Sequence, residues 1–194
     1  MYPSSLITLY SHPLLSQKEL HTIIEAHQLV HFKKGELLLE KGEISNHYYC
    51  VEKGLIRSFV HDYNGNEITV NFFGSNQIAI DVISLFHRIP TVENFEALTD
   101  CECYAIDLTT FQQLFHSMKG LTEWGRDWMS ESLFLLKQRS ISMITDSAKQ
   151  RYMELQTQHP EILRNAPLKS IASYLGITPT SLSRIRKELV TEGF

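Results

Sequence analysis

The C-terminal stretch LKSIASYLGITPTSLSRIRKEL, residues 168–189, places hydroxyl and basic side chains on one face of a predicted helix. Leu182, Ile185 and Leu189 recur at helical spacing and mark the side that packs inward. Small hydroxyl residues on the other side allow close approach to nucleic acid, and arginine pairs in a planar fork with guanine O6 and N7. The predicted contacts to double-stranded DNA are Thr178, Thr180, Ser181, Ser183, Arg184, Arg186, Lys187 and, on the preceding helix, Lys169.

A short turn must hold this helix against the one before it. The helix over 168–175 has its own inward apolar face, and Gly176 allows the backbone conformation that ends it. Ile177 fills the space between the two helices. Thr178 caps the second helix, and Pro179 occupies its first turn, where the missing N–H costs nothing. The pattern predicts a helix-turn-helix whose second helix enters the major groove.

The charge is divided unevenly along the 194 residues, whose net charge is −4. Residues 1–146 carry 11 basic and 18 acidic side chains, whereas residues 147–194 carry 7 and 4. A basic segment joined to an acidic one is typical of a polyanion-binding module attached to a second domain. We therefore place a domain boundary near residue 146.

The first half of the chain has the pattern of a small antiparallel β-domain. Glycines at 35, 42, 54, 65 and 74 separate short strand-like pieces, and YNGNE at 63–67 is a strong hairpin signal. From Thr109 the period becomes helical, and a second, long helical segment runs to about Ile144. Its apolar stripe predicts a helix-to-helix dimer seam. The predicted dimer contacts are Leu121, Trp124, Trp128 and Leu135.

Two stretches resemble the Crp/Fnr family of bacterial transcription regulators: KKGELLLEKGEISNHYYCVEKGLIRSF at 33–59 and IASYLGITPTSLSRIRKEL at 171–189. The resemblance implies an α+β fold with three parts. These are a cyclic-nucleotide-binding-like antiparallel β-roll at 1–118, a dimerisation helix at 119–145 and a helix-turn-helix domain of the winged type at 146–194. It also implies a homodimer that binds DNA and RNA polymerase, and a function that is not enzymatic.

Two features depart from the family pattern. Thr180 and Arg184 fall on positions that contact bases in the family, but Pro179 stands where arginine is common, so we expect a different half-site sequence. The family continues into a β-hairpin wing, whereas this sequence stops at VTEGF. With a truncated wing, we expect affinity to depend more on the dimer and on Lys149, Arg151 and Lys169.

The stretch QIAIDVISLFHRIPTVENFEA, residues 77–97, occupies the position of the family's phosphate-binding cassette, which reads Gly-Glu and then Arg-Ser/Thr-Ala. Alignment without gaps places Ile80 and Asp81 on Gly-Glu and Thr91 and Val92 on Arg-Ser, so only Asp81 retains the chemistry. Loss of the arginine from a buried phosphate contact costs several kcal/mol, on the order of a thousandfold in affinity. Arg88 is a substitute only if the loop is shorter than this alignment has it.

Two hypotheses about sensing remain open. In the first, the pocket has drifted and no cofactor is bound; in the second, the roll binds a cyclic nucleotide by non-standard contacts and acts as a ligand-gated switch. Residues 1–49 contain no cysteine for an iron–sulfur cluster, and no HxH or GxSxG motif suggests a metal enzyme or hydrolase. The N-terminus lacks the features of a signal peptide, and no apolar run is long enough for a membrane span, so we expect a cytoplasmic protein.

Overall fold

The computed structural model describes residues 2–192, which form nine helices and eight strands. Two N-terminal helices, α1 (Ser4–Leu9) and α2 (Gln17–Glu25), precede the strands. The strands are β1 (Gln28–Phe32), β2 (Leu37–Leu39), β3 (His47–Lys53), β4 (Ile56–His61), β5 (Glu67–Phe73), β6 (Ile78–Ala79), β7 (Asn94–Ala97) and β8 (Cys101–Asp107). The remaining helices are α3 (Val82–His87), α4 (Leu108–Ser117), α5 (Lys119–Thr145), α6 (Ala148–Gln158), α7 (Pro160–Asn165), α8 (Leu168–Tyr174) and α9 (Pro179–Thr191).

The strands make two four-stranded antiparallel sheets, in the orders β1-β8-β3-β6 and β2-β7-β4-β5. The predicted hairpin joins β4 to β5, where the backbone N–H of Asp62 donates to the carbonyl of Asn66. Gly65 takes the left-handed conformation that this turn requires, with φ of 81°. Short antiparallel strands thus form the predicted roll.

Three apolar cores lie in successive layers. The inner core fills the space between the sheets and includes Phe95, Cys101 and Cys103. A second core packs α1, α2, α4 and the start of α5 against the first sheet. The third joins Leu55 and Phe72 of the roll to the apolar faces of the C-terminal helices. All three cysteines are free and buried, so they behave as small apolar side chains.

The helix boundaries follow from their capping residues. Asp107 accepts a hydrogen bond from the Thr110 N–H and begins α4. Ser147 and Gln150 form a capping box at the start of α6, directly after α5 ends. The predicted break near residue 146 is therefore a change of helix direction at Asp146, which has an extended backbone.

The α+β fold predicted from the sequence is confirmed, with local differences. The segment PEILRNAP, interpreted as a linker, contains α7, and α1 and α2 were not predicted. Gly193 and Phe194, the last residues of the predicted domain 146–194, lie outside the described residues, as does Met1. The expected truncation of the wing concerns that end of the chain, so it stays a prediction. Within residues 2–192, none of the helices has the length and apolarity to cross a bilayer.

Candidate functional site

The turn between α8 and α9 has the geometry that the sequence predicts. Gly176 has a φ of 68°, and a Cβ there would lie 2.5 Å from the Cε of Met143 on α5. A larger residue would therefore meet both backbone strain and a neighbouring side chain. Thr178 accepts a hydrogen bond from the Ser181 N–H at 3.1 Å and caps α9, and Pro179 follows at its first position.

The inner face of α9 is firmly packed. Leu182, Ile185 and Leu189 are buried in the same core as Ile171 and Leu175. This packing fixes the rotation of α9 about its axis, because turning the helix would expose these three side chains to water. The opposite face is consequently held outward.

The outward face carries the predicted hydroxyl and basic residues. Thr180, Ser183, Arg184, Arg186 and Lys187 are all exposed, as is Lys169 on α8. Among the described residues, no ion pair involves Arg184, Arg186 or Lys187. Their charges are thus available to a polyanion.

Three of the predicted contact residues have hydrogen bonds within α9 and its N-terminal cap. Ser181 is half-buried and its hydroxyl lies 2.9 Å from that of Thr178, so both contribute to the cap. The Ser183 hydroxyl donates to the carbonyl of Pro179 at 3.0 Å. Thr180 and Arg184 are exposed, and among the described residues their side chains make no such bonds.

Lys149 and Arg151 differ from the expectation that they add phosphate contacts. Lys149 Nζ lies 2.7 Å from both carboxylate oxygens of Glu192, which neutralise it. The Arg151 guanidinium donates to the carbonyls of Asp146 and Leu175, so it ties α6 to the end of α8. Both side chains thus have partners within the chain, and their contribution to phosphate binding stays a prediction.

The polar side chains of the cassette form hydrogen bonds within the cassette itself. One carboxylate oxygen of Asp81 accepts from the Ser84 N–H at 2.9 Å and caps α3, a helix within the stretch interpreted as a loop. The other accepts a hydrogen bond from the Thr91 hydroxyl at 2.5 Å. Thr91 is only 4% exposed. The two residues that the alignment places on the Glu and Arg positions are therefore bonded to each other.

The other cassette residues do not converge on a ligand. The Arg88 guanidinium donates to the Ser45 carbonyl and to Asn46 Oδ1 at 2.6 Å, which fastens the end of α3 to the turn before β3. Val92 is 67% exposed, and its predicted place beside a phosphate stays a prediction. Ile80 is half-buried and packs toward the helical layer.

A cavity of about 290 Å³ remains at the open side of the roll. Of the predicted pocket residues, Ile80 and Asp81 line it, whereas Thr91, Val92 and Arg88 do not. Its lining residues are Leu38, Leu39, Glu43, Ile44, Ser45, Asn46, His47, Tyr49, Ala79, Ile80, Asp81 and Phe95. None of these is lysine or arginine, and the cavity therefore has no permanent positive charge for an anion.

A buried carboxyl group adds to this electrostatic bias. Burial, and then the nearby Asp81 carboxylate, raise the pKa of Glu93, while a hydrogen bond from Ser58 opposes the rise. An anion brought close to Asp81 would experience the same repulsion. No feature of the sequence alone distinguished Glu93 from an exposed glutamate.

The predicted dimer stripe divides into two parts. Leu121 is 1% and Trp124 7% exposed, because both pack into the chain's own helical layer. The Trp124 indole N–H donates to the Leu9 carbonyl at 2.6 Å, and Trp128 is half-buried beside it. Leu121 and Trp124 are therefore not available to a second chain. Leu135 remains 54% exposed.

The sequence stripe included Leu135 and Leu136 but missed several other exposed apolar residues in the second half of α5. They are Met129, Leu133, Phe134, Ile141, Met143 and Ile144. The helical spacing of the stripe did not reveal which part of it the roll would cover. Only the position of the roll against the first half of α5 decides this.

Comparison with protein families identifies the roll. Residues 29–118 match the family model described as cyclic nucleotide-binding domain. The chain is 29% identical over 95 residues to a cAMP-dependent protein kinase regulatory subunit from Debaryomyces hansenii, covering 48% of this chain and 20% of that protein. It is 27% identical over 124 residues to the Eremothecium gossypii protein of the same description, covering 62% and 26%. The chain therefore spans about a fifth to a quarter of these relatives.

Solved structures extend the likeness to nearly the whole chain. FixK2 from Bradyrhizobium japonicum matches with a TM-score of 0.73 and 17% identity, covering 86% of each chain. The catabolite activator protein of Thermus thermophilus matches with 0.59 and 18%, covering 98% of this chain and 88% of that one. A structure from Eubacterium rectale described as a regulator of the Crp/Fnr family matches with 0.69 and 17%, covering 95% and 88%. At these identities the likeness is one of fold.

Proposed function

The chain has the fold of the Crp/Fnr regulators with a cyclic nucleotide-binding domain at residues 29–118, and from this premise we propose that it is a dimeric, sequence-specific DNA-binding transcription regulator. The observation that carries the proposal is the exposed face of α9. It presents Arg184, Arg186 and Lys187, while the opposite face of the helix is packed into the core.

The predicted contact residues have three proposed roles: base contact, phosphate contact and capping of α9. Arg184 and Thr180 are proposed to contact base edges, since they are exposed near the N-terminal half of the helix. Arg186, Lys187 and Lys169 are proposed to neutralise phosphates. Thr178 and Ser181 support recognition indirectly through the cap, although one hydroxyl of the pair is still able to donate to a phosphate.

The exposed half of α5 supports dimerisation. Leu133, Phe134, Leu135 and Leu136 are each more than half exposed, and a helix with such a surface gains free energy when a second copy covers it. Two copies would present two copies of α9 to half-sites about 34 Å apart, one turn of DNA. Contact with RNA polymerase is proposed from the resemblance alone.

The cassette supports a regulator that does not bind cyclic AMP in the usual way. The hydrogen bond between Thr91 and Asp81 occupies both key positions, and the lining of the cavity has no arginine or lysine. Cyclic-nucleotide gating by other contacts remains the second candidate, since the cavity of about 290 Å³ is open to solvent and has polar groups.

Substitution of Arg184 tests DNA binding directly. A duplex selected from random sequence by the wild-type protein is used in a gel shift at moderate salt. Arg184→Ala should weaken binding to it by about 10–100-fold and relax preference at one base pair, because a bidentate base contact contributes roughly 1–3 kcal/mol.

Arg164→Ala is the matched control, since Arg164 is an exposed arginine on α7 of the same domain. It should reduce affinity little and leave the base preference unchanged. Equal binding by wild type and Arg184→Ala would contradict the assignment of α9 as the reading helix.

A further inference from the structure

A polar joint connects the β4–β5 hairpin of the roll to the first helix of the helix-turn-helix. Arg57 on β4 is 7% exposed and lies at its centre. Its Nε donates to Glu96 at 2.8 Å and its Nη2 to Glu67 at 2.6 Å, so both partners lie within the roll. Its Nη1 donates to the hydroxyl of Ser170 on α8 at 3.1 Å.

One turn further along α8, a second contact crosses the joint. The backbone N–H of Thr69 on β5 donates to the Ser173 hydroxyl at 3.1 Å. That hydroxyl donates in turn to the carbonyl of Ser170 at 3.0 Å, so one side chain serves both elements. The ring of Tyr174 packs against that of Phe72 with centroids 5.1 Å apart.

Arg139 connects the long helix α5 to the same joint. One Nη donates to the carbonyl of Val70 on β5, and the other donates to the carbonyl of Tyr174 at the end of α8 at 3.2 Å. Its guanidinium lies 4.0 Å from the centroid of the Tyr174 ring. Three elements thus meet at one side chain.

These contacts restrict a motion that the chain would otherwise permit. Helices α6 to α9 are joined covalently to α5 only through residues 146 and 147, so contacts to the roll and to α5 must set the direction in which α9 faces. Arginines with two or three fixed partners define an orientation more strictly than apolar packing, because each hydrogen bond requires both distance and angle. The joint therefore combines apolar packing with directional hydrogen bonds.

We propose that Arg57 and Arg139 are positioning residues for DNA binding, which hold α9 in register by fastening α8 to the β4–β5 hairpin. The inference rests on the proposed function. In a dimer, two α9 helices held at a fixed separation fit one spacing of half-sites. At that spacing, binding of the first helix places the second directly at its half-site, which lowers the entropic cost of binding. Loosening the joint would leave each α9 intact but would remove that preorganisation.

The test measures affinity against the spacing of two half-sites. Duplexes carry two copies of the selected half-site at the optimal separation, or displaced by about 5 base pairs, half a helical turn. We expect wild type to favour the optimal spacing by roughly tenfold or more. Arg139→Ala should lose about tenfold at the optimal spacing and bind both duplexes within about threefold of each other. Its affinity for a single half-site should change less than about twofold.

Three further variants separate positioning from simple destabilisation. Arg139→Lys retains a donor for one carbonyl and should restore part of the spacing preference. Arg57→Ala should resemble Arg139→Ala; if it does not fold, Ser173→Ala removes a crossing contact with little change in volume. Arg126→Ala is the control, since Arg126 is an exposed arginine on α5 away from the joint, and it should keep the wild-type spacing profile.

The outcomes distinguish the inference from the function on which it rests. A wild-type protein without sequence-specific binding would overturn the proposed function. A wild-type protein with a sharp spacing optimum that Arg139→Ala and Ser173→Ala both share would overturn only the positioning role. A loss of single half-site affinity equal to the loss on paired sites would also overturn it, since that result would place the defect in α9.

Discussion

At the scale of single residues, side chains that looked alike in sequence have different environments. Arg184 is exposed, Arg88 is fastened to Ser45 and Asn46, and Arg57 is 7% exposed between two carboxylates. Their roles follow from these surroundings and not from the residue type: an exposed arginine is free to meet a ligand, whereas a buried one must be paired. Functional assignment at Arg57 thus depends on partners far away in the chain.

His27 provides a prediction at this scale. It is buried, its Nε2 lies 3.1 Å from the Tyr10 hydroxyl and 3.9 Å from Cys50 Sγ, and the Tyr10 and Tyr48 hydroxyls are 2.6 Å apart. Burial lowers the pKa of His27 to about 4, although its hydrogen bond to the Ile23 carbonyl opposes the shift. The fold therefore favours the neutral imidazole.

The unfolded chain binds a proton at His27 below about pH 6.5, whereas the folded chain resists protonation until about pH 4. Stability should thus fall as the pH decreases through this window, by about 2 kcal/mol between pH 7.5 and pH 5. Urea unfolding at the two pH values measures the difference, and His27→Gln should remove that part of it. His87→Gln, at an exposed site, is the control; an equal pH dependence in wild type and His27→Gln would refute the assignment.

At the scale of elements, α5 performs two tasks along its length. Its first half belongs to the core of the roll, because Leu121 and Trp124 are covered by α1, α2 and α4. Its second half carries exposed apolar side chains and the Arg139 contact to α8. A continuous apolar stripe in the sequence is therefore shared between an intramolecular core and a proposed interface.

Substitution in the second half of α5 tests the interface. Leu133→Gln with Leu136→Gln should shift the protein from dimer to monomer. Both side chains are at least 60% exposed in the single chain, and burial of each would contribute roughly 1.5–3 kcal/mol to association. Light scattering coupled to size exclusion measures the mass, and circular dichroism checks the fold. Lys137→Gln, at the exposed residue that follows Leu136, is the control and should remain dimeric. A monomeric wild type would contradict the interface.

At the scale of the whole molecule, the roll and the helix-turn-helix share a core and a polar joint, so the position of one depends on the other. The cavity of the roll nevertheless has no positively charged group to bind an anion. Asp81 and Thr91 are hydrogen-bonded to each other, and no lysine or arginine lines the cavity. These features make this cavity unfavourable for a ligand that carries a phosphate.

Calorimetry with cyclic AMP and cyclic GMP tests this expectation. Affinity should be weaker than about millimolar, because the loss of the charged phosphate contact removes on the order of a thousandfold from micromolar binding. A cyclic-nucleotide-binding domain with its arginine intact serves as the positive control. Binding at micromolar concentration would favour the second candidate, a nucleotide-gated regulator that uses non-standard contacts.

Local patterns were enough to predict much of the fold. The glycine turns, the Asn-Gly hairpin and the Gly176–Thr178–Pro179 turn act over a few residues, and the structure reproduces each of them. Their geometry depends on backbone conformation and on capping, which the residues themselves determine. The exposed basic face of α9 follows from the same helical periodicity.

Tertiary structure alone decided which surfaces are covered and which charges are paired. Leu121 is buried in a core that it shares with residues of α1 and α2, and Val92 is 67% exposed. Arg57 reaches Ser170 across 113 positions of sequence. Burial and pairing of this kind depend on segments distant in the chain. Such contacts contribute to stability only after folding has brought those segments together. The sequence by itself thus determined α9 and its exposed basic face, while the fold determined which contacts hold that helix in position.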